Sequence, residues 1–215
     1  MPDDIIKNIV FDLYHGNAYR FCMDNATDLQ AKVQSAYSQI AESTIDPPFP
    51  TGRTLAEDVG YPADLINLLP SVAVDTFCGV SNVSLFADID AQNGVLDVGC
   101  GAGLDTVVAA RRAAKVIGVD FSASMLKLAS QAVHEAGLDA KVTLLRCQAQ
   151  QLPLVDASVD VAIVNGIFNL NPNRQKIFQE LARVIRPGGS LFVAEIILKE
   201  TMREEDLTNP TNWFT

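Results

Sequence analysis

Apolar positions follow two periodicities along the 215-residue chain. In the first 45 residues they recur every three or four positions, which is the spacing of one face of a helix. The two stripes are Ile5, Ile6, Ile9, Val10 and Leu13, and then Leu29, Val33, Tyr37 and Ile40. From residue 94 onward, short apolar runs alternate with helical stretches instead. This alternation predicts an α/β fold in which helices cover both faces of a parallel sheet.

The second half of the chain predicts five strands and three helices. The strands are expected at 94–98, 115–119, 142–147, 159–164 and 190–198. The helices are expected at 104–114, at 124–136 with Ser122 or Ser124 as cap and Gly137 as stop, and from Asn171-Pro172 to Pro187-Gly188-Gly189. Elements in this order predict a Rossmann-like, doubly wound, mostly parallel sheet.

A proline-rich stretch at 46–53 separates this region from the N-terminal helices. Because proline lacks a backbone donor and restricts its neighbours, we expect an extended connector here. A short helix at 62–69 should follow. The predicted organisation is an N-terminal helical segment at 1–70, acting as a lid, and a core at 71–215.

Charge excludes several kinds of partner. The chain carries 16 Lys and Arg against 26 Asp and Glu, a formal net charge of −10. Such a charge repels phosphate backbones and anionic membranes and favours cationic ligands. The acidic N-terminus is unlike a secretory signal, and no apolar run is long enough to cross a bilayer. We therefore expect a cytoplasmic protein without nucleic-acid or membrane partners.

The four cysteines are Cys22, Cys78, Cys100 and Cys147, and no two form a C-x-x-C pair. Wide spacing of this kind argues against a structural zinc site and against a disulfide scaffold. We expect reduced thiols and no bound metal.

A glycine-rich loop follows the first predicted strand directly. Its glycines are Gly99, Gly101 and Gly103, and Asp120 ends the next strand 21 residues after Gly99. Glycine lets a ligand approach the backbone because it has no Cβ. An acid at the tip of the neighbouring strand can accept hydrogen bonds from ribose hydroxyls. The pair predicts a nucleoside site at the carboxyl edge of the sheet.

Two nucleosides compete for this site. A dinucleotide would place its pyrophosphate at the start of the next helix, close to Asp105 and downstream of Asp97. Two unit charges 4 Å apart interact by about 4 kcal/mol at an effective dielectric of about 20, which disfavours a pyrophosphate beside these acids. The sulfonium and ammonium groups of S-adenosylmethionine reverse the sign of this interaction. Local chemistry favours the second cofactor, and a tight turn without a ligand is the remaining alternative.

The region from about 94 to 197 resembles the class I S-adenosylmethionine-dependent methyltransferases, closest in pattern to methyltransferase type 11 and arsenite-methyltransferase-like members. Four landmarks carry the resemblance, in order: residues 95–103, 119–126, 147–153 and 181–189. Members of this class end with two further strands, one antiparallel, which the chain is expected to lack. We expect either that the chain is a shortened version of a longer protein, or that its last strand is covered by the N-terminal segment or by a second copy in a homodimer.

The resemblance implies a site for S-adenosylmethionine and its product S-adenosylhomocysteine. The implied cofactor-binding residues are Asp97, Gly99, Cys100, Gly101, Asp120, Phe121, Met125, Gln148, Ala149 and Asn165. Asp120 would hold the ribose hydroxyls, and Phe121 or Met125 would pack against adenine. Gln148 stands where an acid is common, but its amide oxygen can still accept from the adenine amino group. Asn165 would offer its backbone carbonyl to the ammonium group.

The methyl acceptor is expected to be a small molecule above the ends of the fourth and fifth strands. The implied pocket residues are Tyr14, His15, Cys78, Gly166, Phe168 and Asn169. Cys78 matches one thiolate position of the arsenite enzymes, but Gly166 stands where a central thiol is expected; one thiolate makes a poor arsenic site, and arsenite stays a subordinate hypothesis for the acceptor. No catalytic residue is assigned, since methyl transfer needs alignment more than a base. A nicotinamide-dependent oxidoreductase and a non-catalytic relative are the competing hypotheses.

Overall fold

A computed structural model describes residues 50–169, 171 and 173–197. The helical stripes expected in residues 1–45, most of the expected connector, and residues 198–215 lie outside this part of the chain. The helices are α1 (Gly52–Asp58), α2 (Ala63–Ile66), α3 (Ser71–Asp75), α4 (Val83–Phe86), α5 (Leu104–Ala110), α6 (Ala123–Glu135) and α7 (Arg174–Val184). The strands are β1 (Gly94–Val98), β2 (Lys115–Asp120), β3 (Val142–Arg146), β4 (Val159–Asn165) and β5 (Ile185–Ala194).

All five predicted strands form, and they pair in the order β3-β2-β1-β4-β5 with every neighbour parallel. The two central strands β1 and β4 are almost wholly buried, as expected for strands covered on both faces. Chain order reverses between β1 and β4, and ligands of open α/β sheets bind at the carboxyl ends of strands flanking such a point. The expected Rossmann-like, doubly wound fold is confirmed.

Several boundaries differ from prediction on the side of the sheet that ends in β5. The last helix begins at Arg174 rather than at Asn171-Pro172, because the Asn171 side chain accepts a 2.9 Å bond from the Asn173 N–H in a turn before the helix. Strand β5 begins at Ile185 and ends at Ala194, instead of spanning 190–198. Its first part pairs irregularly with β4 through a register shift.

The start of α1 also differs from prediction, since the helix begins at Gly52 within the expected connector. The Gly52 N–H donates a 2.8 Å bond to the Phe77 carbonyl, which ties this turn to the segment after α3. The short helix expected at 62–69 is shorter in the structure, at Ala63–Ile66.

Helices α1 to α3 pack on one side of the sheet against α5 and α6. Buried side chains on both sides of residue 70 belong to one hydrophobic cluster, which includes Tyr61, Val74 and Val107. The division at residue 70 stays a prediction. Across the residues described, no helix is long and apolar enough to cross a membrane.

Candidate functional site

The loop after β1 has the backbone geometry that its glycines predict. Gly99, Gly101 and Gly103 have φ values of +76°, +52° and +89°, a region that favours glycine. The Gly99 N–H donates a 2.8 Å bond to the Val119 carbonyl of β2. A Cβ on Gly103 would lie 3.2 Å from the Ala129 Cβ, so this glycine also permits close packing of α6. The loop is therefore held against β2 and α6 and leaves its outer face to a ligand.

Asp120 ends β2 beside this loop, and its side chain is almost fully buried. One carboxylate oxygen accepts a 2.9 Å bond from the Gly101 N–H, and the other accepts a 2.8 Å bond from the Ser122 N–H. Burial raises the pKa of Asp120 despite these bonds. A carboxylate has about four acceptor sites, so acceptor capacity is left over for a ligand hydroxyl. This geometry suits a ribose.

Two further acids lie under the loop. Asp97 is buried, and its carboxylate accepts a 2.5 Å bond from the Thr106 hydroxyl. Burial, and then the charge of Asp105, raise the pKa of Asp97 to about 8. Asp105 is also buried and accepts bonds from the Tyr61 hydroxyl and from the Asn165 side-chain amide. Two buried carboxyl groups therefore lie close together beneath the glycine loop.

A cavity of about 1030 Å³, counted out to its mouth, opens at the carboxyl ends of β1, β2 and β4. Its lining consists of residues 73, 76–79, 98–105, 119–121, 147–150, 165–167 and 171. Among these described lining residues there are two acids, Asp105 and Asp120, and no Lys, Arg or His. An anionic group placed here would meet no compensating charge from this lining.

The structure brings ten of the predicted site residues to this cavity. They are Cys78, Gly99, Cys100, Gly101, Asp120, Phe121, Gln148, Ala149, Asn165 and Gly166. Tyr14 and His15 lie outside the described residues. The role proposed for each lining residue remains a prediction, but their grouping places both predicted subsites around one space.

Four other predicted residues do not line the cavity. Asp97 lies behind the loop on Thr106, and Met125 is buried in the interior as part of α6. Phe168 is buried and stacks on Phe178, with ring centroids 4.4 Å apart. Asn169 has a buried side-chain oxygen that finds no hydrogen-bond partner within the described chain. Side-chain packing, which a sequence motif does not specify, keeps these four residues away from the cavity.

Side chains of α7 hold the loop after β3, which carries Gln148 and Ala149. Glu180 accepts a 2.7 Å bond from the Leu152 N–H, and Arg183 donates to the Leu152 and Leu154 carbonyls. Bonds between Arg183 and Glu180 hold the two side chains together. Through Arg183, the predicted landmark at 181–189 therefore supports the loop at 147–153 from behind.

Sequence reasoning missed three features of the site. The Asn165 side chain bonds to the segment before α4, Tyr61 reaches Asp105, and Cys147 lines the cavity. Burial, and then the charge of Asp120, raise the pKa of the Cys147 thiol to about 11. The sequence indicates Asp105 only through its position two residues after Gly103. The contacts of Asn165 and Tyr61 join residues that are far apart in the sequence, so no motif reveals them.

Comparison with known proteins agrees with this geometry. Residues 96–193 match the family described as methyltransferase domain. An arsenite methyltransferase of Halobacterium salinarum is 36% identical over 146 residues, which is 66% of this chain and 37% of that protein. A ubiquinone/menaquinone biosynthesis C-methyltransferase of Syntrophotalea carbinolica is 35% identical over 146 residues, 66% of this chain and 60% of that protein.

Among solved structures, the cyclase SpnF is 25% identical with a TM-score of 0.54, and the match covers 72% of this chain and 63% of SpnF. The chain therefore spans less than two thirds of the length of each of these three proteins. The matched region contains the glycine loop and Asp120 at the end of β2, and it spans nearly all of the five-stranded sheet. On sequence, fold and site geometry together, residues 96–193 match a methyltransferase domain, and the chain is similar to class I S-adenosylmethionine-dependent methyltransferases.

Proposed function

We propose that the protein binds S-adenosylmethionine and transfers its methyl group to a small-molecule acceptor. The observation that carries this proposal is the cavity beside Asp120 and the glycine loop, whose described lining holds two acids and no basic side chain. That lining suits a cofactor with a sulfonium and an ammonium group and disfavours a pyrophosphate. When bound, the cofactor supplies an electrophilic methyl group on sulfur.

The residues of the chain would orient this cofactor rather than react with it. Asp120 has acceptor sites left for the ribose hydroxyls. Gln148 and Ala149, on the loop after β3, face the same cavity and would contact the adenine ring. A Cβ on Gly101 would meet nothing within 4 Å, so its backbone borders open space where the methionine portion can lie. The cradle fits the shape and charge of the cofactor.

The acceptor would enter between the segment around Cys78 and the turn after β4. The lining there includes Thr76, Phe77, Gly166 and Ile167, which is mostly apolar. No histidine lies in the described part of this lining, and both of its acids are already hydrogen-bonded. Such a pocket aligns the acceptor and excludes water, and the acceptor atom must be nucleophilic without help from a strong base here.

Arsenite is not the acceptor that this site favours. The two arsenic-ligand positions compared above are occupied by Cys78 and Gly166, and only the first carries a thiol. Gly166 has a φ of +75°, and a Cβ there would lie 3.2 Å from a Val80 methyl group. The backbone at this point therefore requires glycine, and a side chain of any kind would strain it.

Titration calorimetry with S-adenosylhomocysteine tests the proposal. We expect binding by the full chain, no comparable heat with a nicotinamide dinucleotide, and weaker binding on Asp120→Ala. Heat with the dinucleotide alone would establish the oxidoreductase alternative instead. We also expect transfer of a labelled methyl group from S-adenosylmethionine into an acceptor present in a metabolite mixture.

A second candidate function is ligand binding without methyl transfer. It is favoured by the similarity to SpnF, which is described as a cyclase although its fold matches this chain. Binding of S-adenosylhomocysteine without transfer of labelled methyl to any acceptor would support it.

The proposal further excludes nucleic acid as a partner, on the net charge of −10. Among the described residues β5 lies at one edge of the sheet, and we propose that a second copy of the chain packs against it in a homodimer, which sedimentation would reveal.

A further inference from the structure

The side chain of Asn165 makes four hydrogen bonds at the carboxyl end of β4. Its oxygen accepts from the Val80 N–H at 2.9 Å and from the Ser81 N–H at 3.2 Å. Its amide nitrogen donates to the Ser81 carbonyl at 2.7 Å and to Asp105 at 2.9 Å. The side chain therefore connects three separate parts of the chain: β4, the start of α5 and the segment just before α4.

The segment that Asn165 binds continues directly from the cavity lining. Residues 76–79 line the cavity, and 80–81 carry the backbone groups that Asn165 contacts. We call residues 77–81 the wall segment. Gly79 lies so close to Asn165 that a Cβ on Gly79 would overlap the Asn165 amide nitrogen and the Phe77 ring. The wall segment and the end of β4 are therefore in close contact along one side of the cavity.

Asp105 is itself fixed on the opposite side from Asn165. It accepts a bond from the Tyr61 hydroxyl and a 3.2 Å bond from the Ser84 N–H. Tyr61 is 2% exposed, and its ring packs edge-on against Phe77. Because Asp105 and Tyr61 are buried and the Asn165 amide makes all four of its hydrogen bonds here, Asn165 has little freedom to adopt another rotamer. The network holds the wall segment in one position.

We propose that Asn165 is a positioning residue, whose side chain holds the wall segment against β4 so that Cys78 lies over the cofactor cavity. This inference rests on the proposed function for the identity of the cavity's ligand, and it assigns to the Asn165 side chain a role distinct from that of its backbone carbonyl. It makes the turn between α1 and α2 part of the binding site, because Tyr61 in that turn supports the same network.

Amide hydrogen exchange tests the contact without any ligand. In the full chain, Val80 and Ser81 should exchange slowly, and Asn165→Ala should accelerate both by about tenfold or more, since each amide loses its acceptor. Asn82→Ala is the matched control. Asn82 directly follows Ser81, its side-chain amide donates to the Gly60 carbonyl, and it does not line the cavity. Unchanged exchange at Val80 and Ser81 in Asn165→Ala would overturn the proposal.

A second measurement reads the position of Cys78. Alkylation by N-ethylmaleimide, resolved by peptide mass spectrometry, should be slowed at Cys78 when S-adenosylhomocysteine is bound to the unsubstituted chain. Asn165→Ala should lose most of this protection, with the alkylation carried out at a ligand concentration that calorimetry shows to saturate the variant. Gly79→Ala should behave in the same way, because its new methyl group displaces the Asn165 amide. Full protection of Cys78 in both variants would contradict the positioning role.

A reciprocal exchange separates this role from a general loss of stability. Asn165→Asp places a carboxylate beside Asp105, so we expect it to disturb the wall segment more than Asn165→Ala does. The double variant Asp105→Asn with Asn165→Asp restores one donor and one acceptor between these positions, and should slow the exchange of Val80 again. No recovery in the double variant would count against the proposed geometry. If the unsubstituted chain fails to bind S-adenosylhomocysteine, the proposed function fails, while the exchange experiments still decide the role of Asn165.

Discussion

The Asp120 carboxylate accepts a 2.9 Å hydrogen bond from the backbone N–H of Gly101, which lies 19 residues earlier in the chain. This bond joins the end of β2 to the glycine loop after β1. It fixes the acid and the loop at a constant separation along one edge of the cavity. We therefore expect recognition of the cofactor to depend on a pair of residues held together before any ligand arrives.

Removal of the Asp120 carboxylate should weaken ligand binding strongly. A hydrogen bond to a charged group contributes about 1.5–3 kcal/mol, so Asp120→Ala should raise the dissociation constant of S-adenosylhomocysteine by about 10- to 100-fold. Calorimetry measures this directly. Asp88→Asn is the control, because Asp88 is an exposed acid away from the cavity. Equal affinity of the Asp120 variant and the control would show that Asp120 does not touch the ligand.

The glycine loop should tolerate no side chain at its first position. Gly99→Ala combines a φ of +76° with a collision between the new methyl group and the Ile167 side chain, which lines the cavity. Gly137→Ala has a similar φ of +68° but meets nothing within 4 Å. Left-handed backbone costs an alanine about 1–2 kcal/mol, so both variants should melt at lower temperature.

Only the first of these two variants should lose affinity for S-adenosylhomocysteine, because only Gly99 borders the cavity. Thermal melts give the common effect and calorimetry gives the difference. An equal loss of affinity in both variants would mean that backbone strain alone, and not the cavity, determines binding.

The Tyr61 hydroxyl should stabilise the folded chain. Tyr61→Phe keeps the edge-on ring contact with Phe77 but leaves the buried Asp105 without one of its donors. An unsatisfied buried group costs about 1–3 kcal/mol, and urea unfolding should show a loss of that size. Ser84→Ala removes only a neutral partner of the hydroxyl and should cost less. A Tyr61→Phe chain as stable as the unsubstituted chain would contradict this account of the network.

Asp97 should make stability depend on pH. Its pKa is raised from 3.8 to about 8 by burial and by Asp105. The folded state therefore keeps a proton that the unfolded state releases above pH about 4. This contribution to stability is complete below the unfolded pKa and is lost as pH rises toward 8, at up to about 1.4 kcal/mol per unit.

Asp97→Asn removes this titration and retains an acceptor for the Thr106 hydroxyl. The stability of this variant relative to the unsubstituted chain should therefore rise between pH 5 and pH 8. Urea unfolding at the two values measures the difference, with Asp88→Asn as the control. A difference that stays constant with pH would show that Asp97 is ionised in the folded state at both values.

The sequence predicted the strands well because each is a short apolar run bounded by glycine or by a polar residue. It also predicted the cap of α6, where the Ser122 hydroxyl accepts from the Met125 N–H, and its end before Gly137. Caps and left-handed glycines are local, so a few adjacent residues suffice to specify them. The start of β5 was not predicted, since its irregular pairing depends on β4.

The candidate site was predictable only where a motif lies in one stretch of chain. Gly99, Gly101 and Asp120 line the cavity as expected, because strand order alone brings their loops together. Met125 does not, since the rotation of α6 about its axis decides which side chain faces inward. The contacts of Asn165 with Val80 and Ser81 span 85 and 84 residues, and tertiary packing alone creates them.

A crystal structure of the chain with S-adenosylhomocysteine tests the central claim most directly. The account predicts the ribose hydroxyls on Asp120, the adenine ring beside Gln148 and Ala149, and the amino-acid portion along Gly99 and Gly101. Density for the ligand outside this cavity, or a cavity filled by the chain's own side chains, would contradict it.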